Sequence, residues 1–147
     1  MTSPTPRLIL LTLLAAVLAG CAATGGKLKA KGVPPEERAL ERWNLLIERK
    51  AERAYDYLSP GKRATEKRED YASAMNNRPV RWQKATYYKK DCAREDSCVV
   101  TLQVDVQVPM AAIGGMMPSL GFVEETWIRA DDGIWYYLGP TPRTTGP

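Results

Sequence analysis

Residues 98–108, CVVTLQVDVQV, alternate apolar and polar side chains with a period of two. This alternation is typical of a strand with one buried face. At about 3.3 Å per residue the strand is about 36 Å long, so we expect it to bend or carry a bulge. The buried face comprises Cys98, Val100, Leu102, Val104, Val106 and Val108, and the polar face Thr101, Gln103, Asp105 and Gln107.

Three further strands are predicted at residues 80–90, 120–130 and 134–138. The last two are joined by Asp131-Asp132-Gly133, which predicts a tight hairpin with glycine at positive φ. Residues 109–119, PMAAIGGMMPS, have the composition of an apolar loop. Such a loop is either a connection folded over its own core or a contact surface, because methionine adapts to varied partners. The contact candidates are Met110, Ile113, Met116 and Met117.

Cys92 and Cys98 flank a short predicted turn between the first two strands. A hairpin there places the two cysteines opposite each other, at the spacing that disulfide geometry requires. The sequence has no Cys-x-x-Cys motif and no adjacent helix start that would activate a thiol. The pair therefore predicts a structural disulfide rather than a redox site.

Residues 35–58 place apolar side chains on one helical stripe, with Glu, Arg and Lys on the other side. Pro35 suits a helix start, and Ser59-Pro60-Gly61 predicts the end. This helix of about 24 residues would be about 36 Å long and so matches the central strand. A weaker helix is predicted at residues 65–75. Together these elements predict an α+β domain, with a long N-terminal helix and a minor helix packed on a curved four-stranded antiparallel sheet.

Short motifs on these elements resemble the nuclear transport factor 2-like (cystatin-like cone) superfamily. They are Ala39-x3-Trp43 and Ala54-Tyr55-x-Tyr57-Leu58-Ser59-Pro60 on the helix, and Trp127-Ile128 and Asp132-Gly133-x-Trp135-Tyr136 in the last hairpin. The resemblance covers residues 35–139 and implies a sheet curved round the long helix, with a conical cavity at one end. It implies no single activity, because the superfamily includes isomerases, dehydratases, cyclases and non-catalytic binding or dimerisation domains.

The N-terminus carries a targeting pattern. Residues 1–20 combine one arginine, an apolar run too short to span a bilayer and a small-residue end, which is the secretory signal pattern. Leu18-Ala19-Gly20-Cys21 resembles the bacterial lipobox, which implies cleavage before Cys21 and lipidation of its thiol. Ala22, rather than Asp, implies the outer membrane, with the chain facing the periplasm. The alternatives are a signal peptide without lipidation and an uncleaved membrane anchor.

The mature chain divides into three parts. Residues 21–33 are small, basic and Gly-containing, which predicts a flexible tether. Residues 34–140 hold the predicted domain, and residues 141–147 predict a disordered tail.

The net charge of the 147 residues is +4, which falls to +3 without Arg7, and the chain has no histidine. So mild an excess of positive charge does not indicate nucleic-acid binding. The absence of histidine removes the usual general base and the commonest metal ligand, so neither a metal nor a cofactor is expected.

Two adjacent glutamates are the candidates for catalysis. Glu124 and Glu125 lie in a predicted strand, so one points to each face, and the inward one is the only good candidate for a general base. No catalytic triplet can be assembled from spacing. The aromatic residues that either line the cavity or fill the core are Trp43, Tyr55, Trp127 and Trp135.

The leading hypothesis is a non-catalytic, lipid-anchored periplasmic domain that binds a protein partner or a small apolar ligand. One alternative is an isomerase-like or cyclase-like enzyme that uses the inward glutamate. The other is a structural envelope protein that forms a homodimer through the polar face of the sheet.

Overall fold

The computed structural model describes residues 30–140, in which helices pack on a four-stranded antiparallel sheet with the order β1-β2-β3-β4. The strands are β1 Arg81–Arg94, β2 Ser97–Met110, β3 Gly115–Arg129 and β4 Trp135–Pro140. The helices are α1 Pro35–Ile47, α2 Ala51–Ala54, α3 Pro60–Thr65 and α4 Arg68–Asn76. The predicted α+β class, with its curved antiparallel sheet, is confirmed.

The segment predicted as a signal peptide, the lipidation candidate Cys21 and the tail at 141–147 lie outside the described residues. Within residues 30–140, no helix is both long enough and apolar enough to cross a membrane.

The core lies between the apolar face of β2 and the helices. Val100 and Leu102 of β2 are fully buried, as are Ala39 of α1 and Leu58. The predicted inner face is therefore confirmed for Cys98, Val100, Leu102 and Val104, whereas Val106 and Val108 are only half-buried.

The long N-terminal helix is interrupted, contrary to the prediction. α1 ends at Ile47, and Arg49 adopts the left-handed conformation with φ of 57°. The Arg49 N–H donates to the Leu46 carbonyl at 3.1 Å and the Lys50 N–H to the Leu45 carbonyl at 2.8 Å. These are the two bonds of a Schellman motif, which ends a helix. The chain then continues as α2 and a 3₁₀ turn at Tyr55–Tyr57.

Ser59-Pro60-Gly61 begins a helix, where the sequence predicted only an end. The Ser59 hydroxyl accepts a hydrogen bond from the Lys62 N–H at 3.3 Å, and Pro60 occupies the first position of α3. Serine caps and proline starts are both typical of helix N-termini. The minor helix predicted at 65–75 corresponds to α4, which begins three residues later.

Residues 109–119 are mostly strand, so the prediction of a loop was wrong. β2 continues to Met110 and β3 begins at Gly115, with a 3₁₀ turn at Ala111–Ile113 between them. β1 begins opposite Gln107, so residues 108–117 of β2 and β3 pair only with each other. We call this two-stranded extension, residues 108–117, the arm.

The predicted disulfide joins Cys92 to Cys98 with an S–S distance of 2.06 Å, and the two residues pair directly across β1 and β2. The expected irregularity falls in the partner strand instead of in β2. β1 carries three register shifts, each with one extra residue on β1. Extra residues of this kind bend and twist a strand.

The outer face of the sheet is less polar than the sequence predicts. Tyr88 of β1 and Phe122 of β3 form an edge-to-face pair there, 4.9 Å between ring centroids, and both are exposed. Thr101, assigned to the polar face, is 3% exposed. The homodimer through this face stays a prediction.

Candidate functional site

A buried ion pair joins α1 to β3. Arg42 Nη1 donates to Glu125 Oε1 at 2.8 Å, and the two side chains are 4% and 3% exposed. Trp43 Nε1 donates to the same oxygen at 2.8 Å, and Trp127 Nε1 donates to Oε2 at 3.1 Å. The Glu125 carboxylate therefore has three donors around it and is almost fully buried.

Aromatic residues hold the other side of the Arg42 guanidinium. Its Nη2 donates to the Tyr71 hydroxyl at 3.1 Å, and its Cζ lies 3.9 Å from the centre of the Tyr137 ring. Burial is the largest single effect and would lower the pKa of Arg42, but the charge of Glu125 together with the contacts to Tyr71 and Tyr137 outweighs it, and the pKa is raised. Burial raises the pKa of Tyr71, and it raises the pKa of Tyr137 to about 12. Arg42 Nε is buried and has no hydrogen-bond partner among the described residues.

The helix period brings Arg42 into the core. It lies three residues after Ala39 and four before Leu46, which are both buried, so all three share one face of α1. The helical stripe predicted that the charged residues of this helix lie on the solvent side. That assignment was wrong for Arg42 and for Arg38, whose Nε donates to the Trp135 carbonyl at 2.6 Å. Both arginines are buried because each has a partner there.

A cavity of about 350 Å³ lies beside the ion pair. Arg42 and Glu125 form part of its wall. The apolar and aromatic residues that line it are Trp43, Leu46, Tyr71, Met75, Trp82, Val123, Tyr137 and Pro140. The other charged residues that line it are Lys62, Glu66, Arg78 and Glu124, of which the first two lie 3.8 Å apart as an ion pair.

The two candidate glutamates occupy opposite faces, as strand alternation requires. Glu125 pairs with the buried Val100 and is 3% exposed, whereas Glu124 pairs with Thr101 and is exposed. Both glutamates line the cavity, but only Glu125 belongs to the buried pair.

The four aromatic candidates divide between cavity and core. Trp43 lines the cavity and contacts Glu125. Trp127 is fully buried, and Trp135 is 8% exposed behind Arg38. The Tyr55 hydroxyl donates to the Glu66 carbonyl at 2.6 Å, which ties α3 to the preceding turn. The last three candidates belong to the core and do not line the cavity beside the ion pair.

The candidates of the predicted loop lie in the arm. Met110 ends β2, Ile113 belongs to the 3₁₀ turn, and Met116 and Met117 lie in β3. Met117 is 39% exposed. The arm is remote from the buried pair and contributes nothing to the cavity beside it.

Sequence reasoning missed Arg42, Trp82 and Tyr137. The position of Arg42 on the apolar stripe was a usable signal, because a charged residue at that spacing needs a buried partner. Trp82 and Tyr137 gave no such signal, because alternation along a strand shows which face a side chain is on but not whether that face borders a cavity. Within residues 30–140, no group of three or more His, Cys, Asp or Glu side chains is arranged to hold a metal ion.

No protein-family model matches the sequence, and no curated protein matches it. Solved structures do match. The protein Aln2 from a Streptomyces species superposes with a TM-score of 0.50 at 12% identity, over 71% of this chain and 83% of that one. At this identity the similarity concerns the fold alone.

Two further neighbours have lower scores. A putative ketosteroid isomerase from Shewanella frigidimarina gives a TM-score of 0.47 at 10% identity, over 73% of this chain and 93% of that one. A nuclear transport factor 2-like superfamily protein from Salmonella enterica gives 0.39 at 13% identity, over 76% and 95%. The Salmonella protein carries the name of the superfamily that the sequence motifs resemble.

Proposed function

We propose that this chain is a lipid-anchored domain of the bacterial outer membrane that faces the periplasm, binds a small apolar ligand and catalyses no reaction. The anchoring rests on Leu18-Ala19-Gly20-Cys21. The binding role rests on the cavity beside Arg42 and Glu125. The observation that carries the proposal is the set of three hydrogen-bond donors that hold the Glu125 carboxylate.

A general base must reach the proton that it removes. Both oxygens of Glu125 already accept hydrogen bonds, one from Arg42 and Trp43 and the other from Trp127. Movement of Glu125 toward a substrate would leave the Arg42 charge buried and unpaired, which costs several kcal/mol, about 3–5. The carboxylate is therefore suited to hold α1 against β3 and unsuited to accept a proton.

The cavity has the character of a binding pocket. Small-molecule pockets measure about 300–1,000 Å³ and are lined mainly by apolar and aromatic side chains, with a few polar groups. The cavity, at about 350 Å³, lies at the small end of that range. Its aromatic walls favour a flat or chain-like apolar molecule.

The test is binding of the neutral, apolar fluorophore N-phenyl-1-naphthylamine to the purified chain. Val123 lines the cavity and pairs with Leu102 on the inner face of the sheet, so Val123→Trp fills the cavity. We expect the dye to bind the unmodified chain and to bind Val123→Trp at least tenfold more weakly. The matched control is Val108→Trp in the arm, which makes the same change away from the cavity. No binding by the unmodified chain, or equal binding by both variants, would contradict the proposal.

A further inference from the structure

A second cleft, of about 370 Å³, adjoins the cavity. The two share four lining side chains, Leu46, Met75, Arg78 and Trp82. The second cleft lies where the C-terminal ends of α1 and α4 meet the start of β1. A ligand in one would therefore touch the walls of the other.

Three arginines line this second cleft, and no aspartate or glutamate does. Arg49, Arg78 and Arg81 are all exposed. Within residues 30–140, none of the three forms an ion pair with a carboxylate. Their contacts are with neutral groups: Arg49 Nη1 donates to the Asn76 carbonyl at 2.9 Å, and Arg78 lies 5.6 Å from the Trp82 ring centre. Three positive charges thus face one cleft that has no carboxylate in its wall.

The backbone at Arg49 supports a role for its side chain. Arg49 has φ of 57° at the C′ position of α1, where glycine is favoured. The left-handed conformation is unfavourable for a residue with a Cβ. The Arg49 side chain is hydrogen-bonded to Asn76 at the end of α4 and lines the second cleft.

We propose that this cleft binds the anionic head of an amphiphile whose apolar tail occupies the adjoining cavity. Guanidinium groups bind carboxylates and phosphates through paired N–H donors, which suits Arg49, Arg78 and Arg81 to such a head. Leu46, Met75 and Trp82 offer the tail a continuous apolar wall. The inference rests on the proposed function, since the tail needs the cavity.

The experiment compares three probes with one acyl chain: oleoyl lysophosphatidate, oleate and neutral monooleoylglycerol. Each is titrated below its aggregation concentration, and tryptophan fluorescence of the full chain reports binding. We expect at least one anionic probe to bind at least tenfold more tightly than monooleoylglycerol, with an advantage that shrinks as salt rises. The tighter of the two anionic probes identifies the head as phosphate or carboxylate.

Three variants test the arginines: Arg49→Gly, Arg78→Gln and Arg81→Gln. Each should weaken binding of the anionic probe several-fold, and Arg49→Gly and Arg81→Gln, which lie outside the cavity, should leave binding of the neutral probe unchanged. Arg49→Gly is the sharpest, because glycine suits the left-handed position and the fold is kept. The matched control is Arg53→Gln, which removes one exposed charge outside the cleft.

The outcomes separate the inference from the proposed function. Equal affinity for the neutral and anionic probes overturns the inference and leaves the apolar cavity standing. An equal loss of affinity in Arg53→Gln overturns it too, because general surface charge would then explain the preference. If neither the dye nor any acyl probe binds, both the inference and the proposed function are overturned.

Discussion

Glu125 and Arg42 lie where an isolated charge is unfavourable, and each makes the burial of the other tolerable. A buried ion pair contributes little net stability over apolar residues of the same volume, because both charges lose their hydration. Removal of one partner is strongly destabilising, because the remaining charge stays buried and unpaired. The tryptophan N–H groups around Glu125 add to this dependence, because they too would lose their acceptor.

Glu125→Gln should lower the free energy of unfolding by about 3 kcal/mol, since Arg42 is left charged and buried. The double variant Arg42→Met, Glu125→Met should recover most of that loss, because no charge remains in the core. Urea denaturation measures both. Lys50→Gln, which breaks an exposed pair with Glu48, is the control and should change stability by less than about 1 kcal/mol. A double variant no more stable than Glu125→Gln would show that the pair itself stabilises the fold.

The raised pKa of Tyr137 predicts a loss of stability at alkaline pH. Burial raises its pKa to about 12 in the folded chain, whereas a tyrosine in the unfolded chain titrates near pH 10. The unfolded state therefore releases its proton first, and the free energy of unfolding falls between about pH 10 and pH 12. Over this pH range, the free energy of unfolding of Tyr137→Phe should fall by roughly 2 kcal/mol less than that of the unmodified chain, as denaturation at each pH would show. Tyr87→Phe, at an exposed position, is the control, and an equal change there would contradict the assignment to Tyr137.

Strand alternation predicted which residues share a face, but not what surrounds them. Because side chains alternate strictly, one of Glu124 and Glu125 had to point inward, and this much followed from the sequence. The partner of Glu125 did not, since Arg42 lies 83 residues away along the chain and only the packing of α1 on β3 brings the two together. Long-range pairing of this kind carries no local signal.

At the scale of elements, the strands were predicted well and the breaks between helices poorly. The apolar face of β2 is set by burial, which a period of two records directly. The end of α1 depends on Arg49 in a conformation that the sequence normally marks with glycine, so no signal was present. Ser59-Pro60-Gly61 was ambiguous, because a proline that ends one helix also starts the next. The arm was missed because Gly and Pro have a low strand propensity, which the pairing of β2 with β3 overrides here.

Arg49→Gly should raise the free energy of unfolding by up to about 1 kcal/mol, because it removes the cost of a left-handed residue with a Cβ. The lost hydrogen bond to Asn76 is exposed and offsets only part of this gain. Arg49→Ala keeps the unfavourable backbone and loses the same bond, so it should be no more stable than the unmodified chain. Thermal and urea unfolding of the two variants provide the measurement. A glycine variant no more stable than the alanine variant would mean that the backbone at position 49 carries no such cost.

On the scale of the whole molecule, the beginning of the described chain and the arm lie at opposite ends of the sheet. Lys31 Cε lies 3.3 Å from where a Cβ of Gly133 would stand, in the turn after β3. The arm lies at the other end of β3, whose 15 residues span about 50 Å. Nine residues from Cys21 to Ala30 reach about 32 Å at most. An anchor at Cys21 therefore keeps the Gly133 turn near the membrane and leaves the arm free to extend away from it.

This geometry gives a prediction for the lipidated chain in vesicles. A fluorophore at Asp131→Cys should transfer energy efficiently to an acceptor in the lipid head groups, and one at Ala112→Cys in the arm should transfer little. Cys21→Ser should abolish both signals, because the chain would no longer associate with the vesicle. Association of Cys21→Ser at the unmodified level would remove the case for a lipid anchor. Equal transfer from the two labels would mean that the domain lies along the bilayer, and the arm would then contact lipid. Unequal transfer would instead place the arm away from the lipid surface.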